Sequence, residues 1–358
     1  MNICKLSLGL CTLALLAGCG TPGEPIPPSL ELPKPVSDLT ATRKGDKVYL
    51  AWSAPSETTD RHNNTHPGDT EVCRIVGMAL RECGQPIAKL PPQKSPYRKN
   101  VLPKSGATYV DHLPAQLQFQ NPTSNTFYAI AVLNSYGREA GLSNQVQVPA
   151  APTLPPPTNF QAHLTAEGVQ LSFIPSSAPE ISGLRFVYRI YRRQQGTNKD
   201  TIAGSVPFDI ATFLDQTFEW EKNYEYRATV VTYMAGANGA EQQVEGEDTP
   251  AITIVAHDVF PPATPSGLQA VFSGPGQKPF IDLVWTPNAE SDLAGYNIYR
   301  HTQGASAVKV NSELVKGPAF RDSDVVPGNS YKYSVSAVDV RGNESPHCEE
   351  ASESVPPE

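Results

Sequence analysis

The chain has 358 residues, with 28 lysines and arginines against 36 aspartates and glutamates, and a formal net charge of −8. This acidic balance excludes a general nucleic-acid binder, which needs a basic surface. Its 35 prolines are about twice the usual share and occur in clusters, which marks linkers and strand edges rather than general disorder.

The first element is a short apolar run, Leu6 to Leu16, preceded by Lys5 and followed by small residues. It is about half the ~20 residues a membrane-spanning helix needs, so it reads as a secretion signal. No later segment is apolar enough to span a bilayer. The run closes on Leu16-Ala17-Gly18-Cys19, followed by Gly20, Thr21 and a proline-rich stretch. That string resembles the lipobox of bacterial lipoproteins. The resemblance implies removal of residues 1–18, lipid on Cys19, and a tether over 19–34. It also implies a place in the cell envelope. Gly20, where inner-membrane lipoproteins carry aspartate, points to the outer membrane if there is one.

Four signals then recur three times in one order. The first is a period-two strand: Val48, Leu50, Trp52; Val169, Leu171, Phe173; Ile281, Leu283, Trp285. The second is an aromatic-rich strand, Tyr188 to Arg192 and Tyr296 to Arg300, where the first repeat offers Cys73-Arg74-Ile75-Val76. The third is an aromatic, any residue, then aspartate, ending at Asp111, Asp215 and Asp322. The last is a β-rich run opening on Tyr128, Tyr226 or Tyr333. Proline-rich stretches near 22–35, 149–157 and 260–265 separate the repeats. No long stretch has helical periodicity. Repeated all-β units follow.

These residues resemble the fibronectin type III family over nearly all of 35–356. The resemblance implies three tandem immunoglobulin-like β-sandwiches, at 35–149, 155–256 and 262–356, each of seven strands in two sheets. It makes Tyr331, after Val325-Val326-Pro327-Gly328, a corner tyrosine whose hydroxyl bonds nearby backbone. On this reading Tyr331→Phe should cost more than Tyr333→Phe. Tyr224 repeats the corner, with Trp220 in place of the proline, while the first repeat has Thr126 there.

The strand residue and late tyrosine are 76 residues apart in the first repeat, against 53 and 48 in the others. The excess sits in the B–C and C′–E loops, which the family topology places at the end where the N-terminus enters. The B–C insert carries Asp60, His62, His66, Asp69 and Glu71. His62, His66 and Asp69 are the metal-ligand candidates, set against a solvated, flexible loop as the default. The C′–E insert carries Lys89, Lys94, Arg98, Lys99 and Lys104 and no acid, a candidate contact for anionic lipid or polymer. Cys73 and Cys83 sit on either side of a hairpin around Gly77. A disulfide between them is expected, with Cys348 left free. Cys348 lies beside His347, but no oxyanion-hole signature accompanies the pair. Tyr188, Tyr191, Tyr296 and Tyr299 could form a sugar-binding face, but alternation on a strand assigns most of them to core packing.

No phosphate loop, hydrolase elbow or zinc helix is legible. The expected function is therefore a non-enzymatic binding, adhesion or spacer module with no cofactor. It would be membrane-bound through lipid on Cys19 and have an envelope protein or polysaccharide as partner and no nucleic acid. A carbohydrate-binding accessory role is the alternative, ahead of a metal-dependent enzyme built on the first-repeat inserts.

Overall fold

A computed structural model of the chain describes residues 30–93, 106–236 and 239–357. The Cys19 string lies outside the described residues. No helix among them is long and apolar enough to cross a membrane. The protein is all-β, and its strands form sandwiches of the fibronectin type III pattern. The period-two strands behave as their spacing predicts: Val48, Leu50 and Trp52 are buried while Tyr49 between them is exposed.

In the first sandwich, β1 (Thr40–Lys44), β2 (Lys47–Ser53) and β5 (Gly106–His112) form one sheet. Against it lies a sheet ordered β4 (Ala88–Leu90), β3 (Pro67–Val76), β6 (Asn125–Asn134), β7 (Val146–Pro149). The second sandwich packs β8 (Thr158–Thr165), β9 (Gly168–Ile174) and β12 (Thr212–Asp215) against β10 (Leu184–Gln194), β11 (Asp200–Pro207) and β13 (Asn223–Ala235). The strands β14 (Glu241–Asp248) and β15 (Ile252–Val255) both pair with β13. The third opposes β16 (Ser266–Phe272), β17 (Ile281–Thr286) and β20 (Ala319–Asp322) to β19 (Val308–Lys309), β18 (Leu293–His301), β21 (Ser330–Asp339) and β22 (Ala351–Ser354). Each sandwich has its own apolar core, centred on Trp52 and Tyr128, Phe173 and Tyr188, or Trp285 and Tyr296. The first sandwich is one compact unit, and the second and third together form another.

One buried polar cluster is repeated in all three. Asp111 accepts from Arg74 Nη1 at 2.7 Å and from the Tyr128 hydroxyl at 2.6 Å. Asp215 accepts from Arg192 at 2.6 Å and Tyr226 at 2.9 Å. Asp322 accepts from Arg300 at 2.7 Å and Tyr333 at 2.8 Å. The aspartates are 6, 1 and 4% exposed. Burial and the neighbouring carboxylate push all three phenols far above the ordinary tyrosine range. These pairings also correct the alignment of the first repeat. Arg74 is the equivalent of Arg192 and Arg300, so Cys73 stands where the other two have Tyr191 and Tyr299.

The corner tyrosines also bond backbone. Tyr224 accepts from the Glu219 N–H at 3.1 Å and Tyr331 from Val326 at 2.9 Å. In the first sandwich a six-residue helix, α1 (Ala115–Gln120), occupies the connection instead. The buried Thr126 hydroxyl there has no partner among the described residues. A second repeated bond had no counterpart in the sequence reading. Ser143, Thr249 and Ser345 each accept a backbone N–H, from Ile130, Ala228 and Ala337 at 3.0, 3.0 and 2.9 Å.

The expected ranking of Tyr331 over Tyr333 does not survive this geometry, because the Tyr333 hydroxyl donates to a buried charged carboxylate. A hydrogen bond to a charged group is worth about 1.5–3 kcal/mol and a neutral one about 1 kcal/mol. Tyr333→Phe should therefore lower the third sandwich's unfolding free energy at least as much as Tyr331→Phe, as read by denaturant melts of the two variants. The three phenols also set an alkaline limit. Each keeps its proton in the folded state where the unfolded chain releases it, so their contribution is full below the ordinary tyrosine pKa of 10.0 and is lost as pH rises from there through the folded value. Ultraviolet titration should show three tyrosines ionising only together with unfolding.

Candidate functional site

Strand register brings the longest loops of the first sandwich to one end. Leu90 lies opposite Thr70, Gly106 opposite Ser53, and Pro67 opposite Asn134. The B–C insert, both flanks of the C′–E insert and the F–G turn therefore meet there. The N-terminal segment crosses the same end: Lys34 donates to the Glu57 carbonyl and Thr59 to that of Leu32, both at 2.9 Å.

The B–C insert is a self-bonded knob rather than the flexible loop its asparagines, proline and glycine suggest. Thr58 N–H reaches the His62 carbonyl at 2.8 Å, Asn64 N–H reaches that of Ser56 at 2.8 Å, and the Thr58 hydroxyl bonds the Asp60 carboxylate. Arg61 closes the turn in the left-handed region, with φ of 64°. His62 lies 3.3 Å from Asp60, and His66 lies 3.6 Å from Glu31. The structure does not gather His62, His66 and Asp69 into a ligand set. Among the described residues, the group whose donor atoms converge is Asp258, Asp292 and Asp339, in the other compact unit.

The F–G turn, Asn134 to Arg138, is held by its first residue. Asn134 Oδ1 accepts from the Tyr136 and Arg138 N–H groups at 3.0 and 2.9 Å, and its Nδ2 donates to the Leu30 carbonyl at 2.9 Å. Gly137, at φ of 73°, completes the turn and leaves Tyr136 at the tip, 80% exposed. Sequence reasoning missed Tyr136 because it marks no strand. The available signal was the Asn-Ser-Tyr-Gly string, whose asparagine and glycine mark a turn.

Of the five basic residues, Lys94, Arg98, Lys99 and Lys104 lie outside the described residues. Lys89 is not an unopposed cation, since it reaches Glu71 across the β3–β4 pair at 2.7 Å, and this bond raises its pKa. Cys73 and Cys83 are joined, with Cα atoms 5.1 Å apart. Cys83 lies in the connection between β3 and β4 rather than on a facing strand, because Val72 pairs with Ala88. Cys73, Leu80 and Ala129 form a small apolar cluster of their own, apart from the main core. Cys348 is buried and free, and burial pushes its thiol up. His347 turns away from it, stacking on Tyr299 at 4.1 Å and reaching the Ser334 hydroxyl at 3.1 Å. Tyr188 and Tyr296 pack in their cores. Tyr191 and Tyr299 stand outside, bonded to Glu245 and Glu344, so the four rings share no face.

No family model matches the chain. One stretch is 43% identical over 89 residues to an amylopullulanase of Thermoanaerobacterium saccharolyticum, 25% of this chain and 6% of that protein. Another amylopullulanase, from Thermoanaerobacterium thermosulfurigenes, is 38% identical over 106 residues, 27% of this chain and 5% of that protein. The chain thus spans a small fraction of these relatives. Similar solved structures include the FN1–FN3 domains of chicken CNTN1, with 14% identity, 90% of this chain, all of that chain and a TM-score of 0.26. A two-domain fibronectin type III segment of chicken tenascin has 16% identity over 56% of this chain and all of that one, at a TM-score of 0.34. A Fn3-like protein of Clostridium thermocellum has 31% identity over 27% of this chain and 96% of that one, at a TM-score of 0.23.

The cysteine arrangement gives a direct test. In a soluble form spanning 21–358, unfolded without reductant, one thiol should react, and peptide mapping should place it at Cys348. Reduction should destabilise the first sandwich by about 2–3 kcal/mol through loss of the closed loop.

Proposed function

We propose that this protein is an envelope-anchored, non-enzymatic spacer that makes contact through the N-terminal end of its first sandwich. The observation behind the reading is the register itself. It gathers the B–C insert, both flanks of the C′–E insert, an exposed tyrosine and the segment leading back to the tether at one end. Loops on a rigid scaffold are where binding function concentrates. The anchor is lipid on Cys19, and the location is the envelope, the outer membrane where the cell has one. The partner is an anionic surface or polymer met by Lys94, Arg98, Lys99 and Lys104, with Lys89 already paired to Glu71. At ~1 kcal/mol per basic residue such contact is weak and fades with salt.

A carbohydrate-binding accessory role is the second reading. It is favoured by the partial likeness to two amylopullulanases and by the 80% exposure of Tyr136, a ring available for stacking on a sugar. Mass spectrometry of the N-terminal peptide should find a lipid-modified Cys19. The 21–358 form should bind anionic vesicles at low salt and lose that binding when Lys94, Arg98 and Lys99 become glutamine. Retention by pullulan or another neutral glycan that is abolished by Tyr136→Ala would favour the second reading. Failure of both leaves a passive spacer.

A further inference from the structure

The corner before β13 differs from its counterpart before β21 at two adjacent positions. The third sandwich has Pro327-Gly328 where the second has Trp220-Glu221. The equivalence is structural. Gly328 N–H reaches the Val355 carbonyl at 2.8 Å, and Glu221 N–H reaches that of Ala256 at 2.7 Å. Gly328 has φ of 84°, at no steric cost. Glu221 holds φ of 63°, a strained conformation for a residue with a side chain, which persists only where surroundings impose it. Its carboxylate accepts the Asp258 N–H at 3.1 Å and meets His257 at 2.8 Å, both in the linker to the third sandwich.

The third sandwich reaches the same place through Arg341, at the tip of the turn after β21. The Arg341 guanidinium lies 3.0 Å from Asp258, whose side chain is 3% exposed, 3.4 Å from Glu221 and 3.8 Å from Asp292. It stands 5.9 Å from the Trp220 ring. Asp339 shapes the turn by accepting the Arg341 and Asn343 N–H groups at 2.8 and 2.9 Å, and Asn343 Nδ2 donates to the Asp258 carbonyl at 3.2 Å. Each side chain named belongs to the second sandwich, the linker or the third sandwich. We infer that Arg341 is an ionic pin locking the second and third sandwiches into one rigid piece. Its guanidinium is the resident cation among Glu221, Asp258 and Asp292. The strained Glu221 gives up local backbone comfort to serve the joint.

Thermolysin cleavage within residues 256–265 of the 21–358 form, followed by mass spectrometry, reads the opening of this joint. Arg341→Ala should speed that cleavage roughly tenfold, as for an opening equilibrium shifted by one decade. Added salt should speed cleavage of the wild type. Glu221→Gly should also speed it while leaving the second sandwich's melting temperature unchanged or higher, because glycine relieves the backbone. A merely structural Glu221 would lower that temperature. Wild-type cleavage rates in both variants would overturn the pin. So would a melting temperature of the 21–358 form that falls with chelator and rises with calcium, since a metal at Asp258, Asp292 and Asp339 would then be the cation.

Discussion

Each sandwich depends on one buried carboxylate. Asp111, Asp215 and Asp322 stand on β5, β12 and β20 of one sheet and accept from an arginine on β3, β10 or β18 and a tyrosine on β6, β13 or β21 of the other. Apolar packing presses the sheets together but is non-directional. The triad supplies direction, because a charge removed from water must meet its partners at fixed positions. A buried pair adds little when it can be replaced whole by apolar residues, yet removing one partner costs several kcal/mol. The triad therefore fixes which strands face each other more than it adds to total stability. The outward rows of these strands are free to differ. They hold a disulfide in the first sandwich, an arginine–tyrosine–glutamate network in the second, and a Tyr299–Glu344–Asn297 cluster in the third.

The fold was largely legible because period-two alternation and spacing are local. Val48 to Trp52 declared a strand without reference to anything distant. The aspartate after Tyr109, Phe213 or Phe320 was visible as a marker, but its role was not. The arginine partner sits 37, 23 or 22 residues away, and the first repeat lacks the tyrosines that would have aligned Arg74 with the others. Cys83 was read as a cross-strand residue for the same reason, since periodicity cannot say where a strand gives way to its loop. At the candidate site, the placement of the B–C insert beside the flanks of the C′–E insert followed from topology. The Lys89–Glu71 pair and the exposure of Tyr136 did not, because both depend on register and turn geometry. Glu221 was hidden entirely, since a left-handed residue that is not glycine leaves no trace in composition.

The two compact units divide the labour on this reading. The first carries the irregular end, with its knob, its turn and the flanks of the basic insert. The second is regular apart from its joint, where Trp220 and Glu221 replace the proline and glycine of the other corner. The long loops of the first sandwich and the altered corner of the second thus fall at the proposed contact end and the proposed joint, and the repeated triads are untouched by them. Function on a common scaffold resides in such departures rather than in the scaffold.

The disulfide has a mechanical consequence. Cys83 is ten positions after Cys73, and Arg74 of the first triad lies inside the closed loop. Were tension applied between the two ends of the chain, those residues would add nothing to its length, shortening the extended first sandwich by roughly 30 Å. Arg74 would stay tethered beside its strand after the sheets had parted. On release, that triad would begin to reform from a partly gathered chain, an advantage the second and third sandwiches lack.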